Sequence, residues 1–292
     1  MFLMSYFRTE AEALHYALSP DGKNWRALNG NRPVYESPLG KLSIRDPFIL
    51  RDREGQFHLL STNGWNSYSI LHAVSDDLIT WRDAELVPVM QGIEGTKNAW
   101  APETYWEAEL GQYRVIWSST TPLTGEELDA YGYNHRIWSV TTRDFKTFSR
   151  PGVFLDPGYN LIDATIAARP EGGYLMAFKD ERDAEPGQAH FKAIRIATAR
   201  YATGPWGIRD EYVTPPMTEG PILFLAHGEN GKPEWRLYYD HFADGHFGAA
   251  SSPDGRHWTD ITSEVYFPDG PRHAGVIEIS EELAEGLVGR FG

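Results

Sequence analysis

SPDGKNW (19–25) returns near the other end of the chain as SPDGRHW (252–258), and the reading of this seven-residue pair decides the fold. Weaker copies lie between them: SDDLITW (75–81), TRDFKTF (142–148) and ATGPW (202–206). Three copies place Asp four residues before Trp, as Asp21/Trp25, Asp77/Trp81 and Asp254/Trp258. Asp144/Phe148 keeps the spacing with another aromatic, and ATGPW keeps only Trp206. The aromatic positions are 56, 67, 58 and 52 residues apart. Ser-Pro-Asp-Gly is turn chemistry, and an aromatic after it re-enters a strand.

Around each turn lie segments that alternate or run apolar, among them REGQFHLLS (53–61), LGQYRVIWS (110–118), EGGYLMAFK (171–179) and GKPEWRLYY (231–239). Helical periodicity is confined to short stretches at 125–131 and 280–287. Strand-rich units of this length, repeated five times, predict an all-β, five-bladed β-propeller with four-stranded blades, a single domain over 1–292. The last unit has only one strand before the chain ends. Its other three are sought at the N-terminus, in MFLMSYF (1–7), ALHYALS (13–19) and WRAL (25–28), so that both chain ends close one blade and no sheet edge is left open. Two separate β domains would leave this strand count unexplained.

Composition narrows the partners. A charged fraction of 23% and a hydrophobic fraction of 41% over 292 residues describe a packed core rather than disorder. The net charge of −14 argues against nucleic acid and anionic membrane surfaces. No apolar run approaches the roughly 20 residues of a membrane span. There is no cysteine, which excludes disulfides and thiolate metal sites. The first residues lack a basic region and a small-residue cleavage site, so a cytoplasmic location is expected. The 10 Trp, 15 Tyr and 14 Phe suit strands, and they equally suit a carbohydrate site.

The opening strand of each unit carries the chemistry. In order these strands are IRDPFIL (44–50), WAPETYW (100–106), IDATIAA (162–168), TEGPILF (218–224) and RHAGVIEI (272–279). Their polar members Asp46, Glu103, Asp163, Glu219 and His273 are spaced by 57, 60, 56 and 54 residues. They read as one polar group per blade, converging at one mouth of the channel. Singly, each carboxylate has an ordinary reading as a turn cap or a solvated strand end. Together, carboxylates sharing a cleft take separated pKa values, the requirement for general acid and base chemistry.

The ordered set RDPFI, WAPE, IDAT, TEGP and RHAG resembles glycoside hydrolase family 43, a family of five-bladed propellers, and the match runs from residue 44 to 275. The resemblance implies that Asp46 is the general base, that Glu219 is the general acid, and that Asp163 stays charged, orients Glu219 and keeps it protonated. It implies inversion of anomeric configuration, which needs the two carboxyls roughly 6.5–9.5 Å apart. No cofactor is implied as required. His273 resembles an axial histidine that in many relatives approaches a hydrated calcium ion, and such an ion would be structural and held mainly by water.

Arg45 is a departure, standing where many members carry a small residue or Pro, and it is expected to lower the pKa of Asp46 or to bind a sugar hydroxyl. The fructan-hydrolysing propellers share Arg-Asp-Pro but need an Asn-Asp-Pro-Asn motif and a Glu-Cys motif, both missing here. Asn63 and Trp65, in the stretch after strand two of the first unit, are expected sugar contacts. Trp100, Trp117, Lys179 and Asp240 follow by analogy between blades, with Glu103 beside them. The insertion at 121–136 is expected to form a rim loop. The expected activity is exo-hydrolysis of terminal α-L-arabinofuranosyl units from plant-derived oligosaccharide. The alternatives are a β-xylosidase, a galactose- or galactofuranose-type enzyme, or a non-catalytic glycan-binding propeller.

Overall fold

The repeated turn is built the same way four times. In a computed structural model that describes all residues except 122–127, 130, 185–190, 229 and 230, Asp21, Asp77, Asp144 and Asp254 each accept the backbone N–H groups two and three residues on. A hydroxyl two residues earlier, on Ser19, Ser75, Thr142 or Ser252, donates to the same carboxylate. The third copy of the pattern thus tolerates Thr for Ser, because only the hydroxyl matters.

Each turn joins the third and fourth strands of a four-stranded antiparallel sheet. The chain opens with β1 (Phe2–Arg8), β2 (Ala11–Ser19) and β3 (Arg26–Ala27). Blade one follows as β4 (Arg45–Arg51), β5 (Phe57–Thr62), β6 (Ile70–Ser75) and β7 (Arg82–Val87). Blade two is β8 (Trp100–Glu107), β9 (Gln112–Thr120), β10 (His135–Thr142) and β11 (Gly152–Leu155). Blade three is β12 (Leu161–Ala168), β13 (Tyr174–Asp180), β14 (Ala193–Ala199) and β15 (Gly207–Tyr212). Blade four is β16 (Glu219–His227), β17 (Pro233–His241), β18 (His246–Ser252) and β19 (Thr259–Asp260). Last comes β20 (Arg272–Glu278), which pairs with β1 to give the order β20-β1-β2-β3. Blade five is therefore closed by both chain ends, and the molecule is the five-bladed propeller that the repeat predicts.

The core lies between blades. Among the described residues it divides into five clusters, each shared by two neighbouring sheets. Strands such as β5 and β13 are buried along their whole length because both faces meet another blade, which is why they read as apolar runs. The aromatic after each turn packs backward onto the preceding blade. Trp25 of blade five donates to Tyr238 of blade four at 3.3 Å, and Trp81 of blade one donates to Tyr16 of blade five at 3.1 Å. The C-terminal α1 (Glu281–Phe291) is the helix expected at 280–287, capped by the Ser280 hydroxyl and packed through Ala284 and Leu287 on the cluster between blades five and one. Residues 125–127 and 130 of the short helix expected at 125–131, and much of the rim loop at 121–136, fall outside the described residues, while 128, 129 and 131 are not helical.

Candidate active site

The innermost strands β4, β8, β12, β16 and β20 touch in a closed ring, and each begins with a break in register. One extra residue stands opposite the second strand, between Arg45 and Phe48, Trp100 and Glu103, Ile162 and Thr165, and Glu219 and Ile222. Within the break, Asp46, Ala101, Asp163 and Gly220 adopt φ of 49°, 47°, 57° and 54°. These four are the equivalent positions. The even spacing of Asp46, Glu103, Asp163 and Glu219 is thereby corrected: Glu219 stands one residue before the equivalent position and Glu103 two after it. Glu219 uses its longer side chain to reach the pocket, whereas Glu103 does not line it.

The residue of strand two facing each break serves the next blade around the ring. Thr62 donates to Asp46 Oδ2 at 2.6 Å and accepts the Ala101 N–H of blade two at 2.7 Å. Ser118 Oγ accepts the Asp163 N–H of blade three at 2.9 Å. Lys179 Nζ donates to Glu219 Oε2 of blade four at 3.0 Å. Asp240 Oδ2 accepts Arg272 Nε of blade five at 2.5 Å. Phe7 completes the ring with its face 4.7 Å from the Arg45 guanidinium of blade one.

Two expected sugar contacts are corrected by this register. Asn63 is one residue past Thr62 and Trp117 one short of Ser118, and a one-residue slip in a strand turns the side chain to the other face. Trp117 is buried in the cluster between blades one and two. Asn63 accepts the Lys41 N–H at 2.8 Å and donates to Ser67 at 3.0 Å, pinning the loop that carries Trp65. Lys179 and Asp240 are correctly on the inner ring, yet they stand behind Glu219 and Arg272 rather than lining the pocket. Thr62, Ser118, Ile162 and Arg272 belong to the inner ring without a motif of their own. Their only sequence signal is the register itself, which becomes visible once the breaks are aligned.

The pocket at the mouth of the channel is small, with a volume of about 70 Å³. Asp46, Asp163, Glu219 and His273 line it together with Thr62 and Ile162, and Arg45, Trp65 and Trp100 also face it. Trp65 is 58% exposed and forms a rim. Trp100 Nε1 donates to the Trp65 carbonyl at 2.8 Å, and the two rings meet edge to face. Arg45 is held between the Phe7 and Trp65 rings, with Nη1 on Glu12 at 2.5 Å.

His273 Nδ1 lies 3.4 Å from Asp46 Oδ1 and 3.9 Å from Asp163 Oδ2. Burial alone would discharge this imidazole, but the facing Asp46 and Asp163 carboxylates, with Glu219 and Glu103, raise its pKa instead. Glu103 is buried beneath the pocket and pushed up to about 8, chiefly by desolvation, with Thr165 and His273 opposing. Burial also raises Asp163, opposed by His273 and Lys179. Burial would raise Glu219 too, yet Lys179, then His273 and Arg272, outweigh it and hold that carboxyl low. Burial thus opposes charge on Asp163, while the Lys179 ammonium favours charge on Glu219.

This donor set fits calcium poorly. Calcium takes roughly six to eight oxygen ligands. Here the carboxylates are already matched by Lys179, Arg272 and His273, and among the described residues no three His, Asp or Glu side chains are placed to hold a metal.

The axis of the five-bladed propeller thus carries an acid-lined pocket. Solved structures share the fold: a thermostable family-43 glycoside hydrolase matches with TM-score 0.60, 17% identity, and 82% of this chain and 81% of that one covered. An α-L-arabinofuranosidase from Lactobacillus brevis matches with TM-score 0.55 and 16% identity over 78% and 75% of the two chains. A xylan β-1,4-xylosidase from Bacillus halodurans matches with TM-score 0.56 and 17% identity over 77% and 42%. In sequence, an α-L-arabinofuranosidase of Bifidobacterium longum subsp. longum is 28% identical over 208 residues, 62% of this chain and 19% of that protein. The chain thus spans about a fifth of the length of the curated relative it matches. Residues 1–285 match the family related to glycoside hydrolase family 43, described as a probable glycosyl hydrolase domain, and the chain belongs to that family.

Proposed function

We propose that the protein is an inverting exo-glycosidase that releases terminal α-L-arabinofuranosyl residues from plant-derived oligosaccharides. The observation that carries this reading is the placement of Asp46 and Glu219 in one pocket on non-neighbouring blades, with blade five between them. Inversion needs the two carboxyls roughly 6.5–9.5 Å apart, so that a water fits between the base and the sugar. Asp46 is the general base that takes a proton from the attacking water, and the Thr62 hydroxyl fixes its orientation. Glu219 is the general acid that protonates the leaving oxygen. Asp163 and His273, both buried, line the pocket between base and acid and are expected to meet the sugar ring. The arabinofuranosyl preference rests on the named activity of the 28%-identical relative.

The test is a panel of aryl arabinofuranosides, xylosides and galactosides carrying phenol or dinitrophenol as leaving group. Glu219→Ala is expected to lose about 10²–10⁴-fold on the phenyl glycoside and far less on the dinitrophenyl one, whose departure needs no acid. Asp46→Ala is expected to lose activity on both. Binding without turnover on every glycan tried would overturn the enzyme reading in favour of a glycan-binding propeller.

A further inference from the structure

The pocket wall beside Asp46 is assembled across a blade boundary. Arg45 and Asp46 are neighbours in sequence, yet Asp46 accepts from Thr62 within blade one while Arg45 reaches to blade five. The Arg45 guanidinium lies 4.7 Å from the centre of the Phe7 ring of β1 and 4.6 Å from that of Trp65. Its Nη1 donates to Glu12 Oε1 of β2 at 2.5 Å. Two rings and a carboxylate thus already occupy this group, and only 16% of the side chain is exposed. Such a group is better placed to brace a neighbour than to serve a sugar hydroxyl.

Glu12 is itself fixed. Its Oε2 accepts the Ser43 hydroxyl at 2.7 Å, and its backbone carbonyl accepts the Ile44 N–H at 2.8 Å. One residue of β2 therefore holds three consecutive residues at the entrance of blade one. Burial would raise the Glu12 carboxyl, but Ser43 and Arg45 together lower it, so the ion pair stays charged at neutral pH.

Trp65 needs that support. It stands in the loop between β5 and β6, faces the pocket and is 58% exposed. Trp100 Nε1 ties its carbonyl, and the Trp100 ring stands perpendicular to the indole at 5.4 Å. These contacts fix the backbone and one flank of the ring. An indole this exposed and otherwise unsupported would sample several rotamers, and ordering it would cost affinity at each binding event. A guanidinium packed on the ring removes that freedom in advance.

Resting on the reading of the pocket as a sugar site, we propose that Arg45 and Glu12 are positioning residues whose ion pair braces the Trp65 indole as a preformed wall for the sugar ring, neither of them bonding the sugar itself. The brace is supplied by β1 and β2, so the closure of blade five by the first strands of the chain also shapes the sugar site.

The experiment is a double-mutant cycle. Arg45→Met and Glu12→Gln are each made in wild type and in Trp65→Ala, and kcat and KM are measured on the glycoside turned over best. Each single substitution is expected to raise KM about three- to tenfold with kcat little changed, because a braced wall holds ground state and transition state alike. In the Trp65→Ala background the same substitutions should have no further effect. Losses that add to that of Trp65→Ala would mean that Arg45 meets the sugar directly and would overturn the brace, as would a fall in kcat at unchanged KM. Fluorine NMR of protein labelled with 5-fluorotryptophan reads the brace without any substrate, the Trp65 signal being assigned from Trp65→Phe. That signal is expected to shift in Arg45→Met and in Glu12→Gln while the signal of the buried Trp117 stays in place, which also reports an intact fold. A Trp65 signal unchanged in both variants would overturn the brace. A shifted Trp65 signal with no glycoside bound or hydrolysed would leave the brace standing and count against the proposed function alone.

Discussion

Thr62 shows how much one hydroxyl decides. It donates to Asp46 and accepts the Ala101 N–H, so Thr62→Val unties the candidate base and leaves a buried amide unpaired. A hydrogen bond to a charged group is worth about 1.5–3 kcal/mol, which corresponds to roughly a ten- to hundredfold loss in kcat/KM, to be read with aryl glycosides. His135 supplies a stability test. Its Nε2 accepts from the Asn98 amide at 3.1 Å, and its Nδ1 faces Asn160 Oδ1 at 3.3 Å, which fixes the neutral tautomer with the proton on Nδ1. The Asn98 carbonyl is committed to the Thr120 hydroxyl, so Asn98 cannot turn to receive a second ring proton. Burial lowers this imidazole to about 4. The unfolded chain takes up that proton near pH 6.5, so the contribution of His135 is intact above 6.5 and is lost as pH falls toward 4. Denaturant unfolding at pH 7 and pH 4.5 should show a drop for wild type and a smaller one for His135→Gln. Equal drops would contradict this account of the histidine.

At the scale of the element, the register break at the start of each innermost strand matters most. It turns Asp46 and Asp163 into left-handed conformations and brings Glu219 in from one residue upstream. Gly220 occupies the same conformation with His273 pressed against it, and a Cβ there would lie 2.8 Å from the imidazole Cγ. Gly220→Ala should therefore cost about 1–3 kcal/mol and displace His273, lowering both the melting temperature and activity. Ala101→Gly, at the equivalent place with φ of 47°, should be near neutral. Equal effects from the two substitutions would show that the backbone at the break is not what constrains the site. The sequence displayed the five strands plainly, since Asp-Pro, Asp-Ala-Thr and Glu-Gly-Pro stand at blade spacing. It hid the break, because an offset of one or two residues disappears within a spacing of more than fifty. For that reason the sequence points to Asn63 and Trp117, each one residue away from Thr62 and Ser118, which face the breaks.

At the scale of the molecule, closure is what holds the ring. β1 lies between β20 and β2, and its Phe2, Met4 and Tyr6 pack toward blade four while Leu3 packs toward blade one. Deleting residues 1–8 removes side chains from two of the five interblade clusters and opens the edge of β20. Loss of a cooperative thermal transition by circular dichroism is expected, and a shortened chain that melts like wild type would contradict the closure. This level was the most legible of the three. Turn chemistry is local, so Ser-Pro-Asp-Gly declares itself at both chain ends and the missing strands can be counted. The cations around Glu219 were not legible, since Lys179 and Arg272 come from different blades and only the closed ring brings them together.

The most direct test of the whole mechanism is proton NMR of the sugar released in the first moments of hydrolysis, before mutarotation mixes the anomers. An α-L-arabinofuranoside should release the β anomer first, because Asp46 directs water to the face opposite the leaving group. Release of the α anomer first would mean a covalent, retaining route and would contradict the assignment of Asp46 as a base.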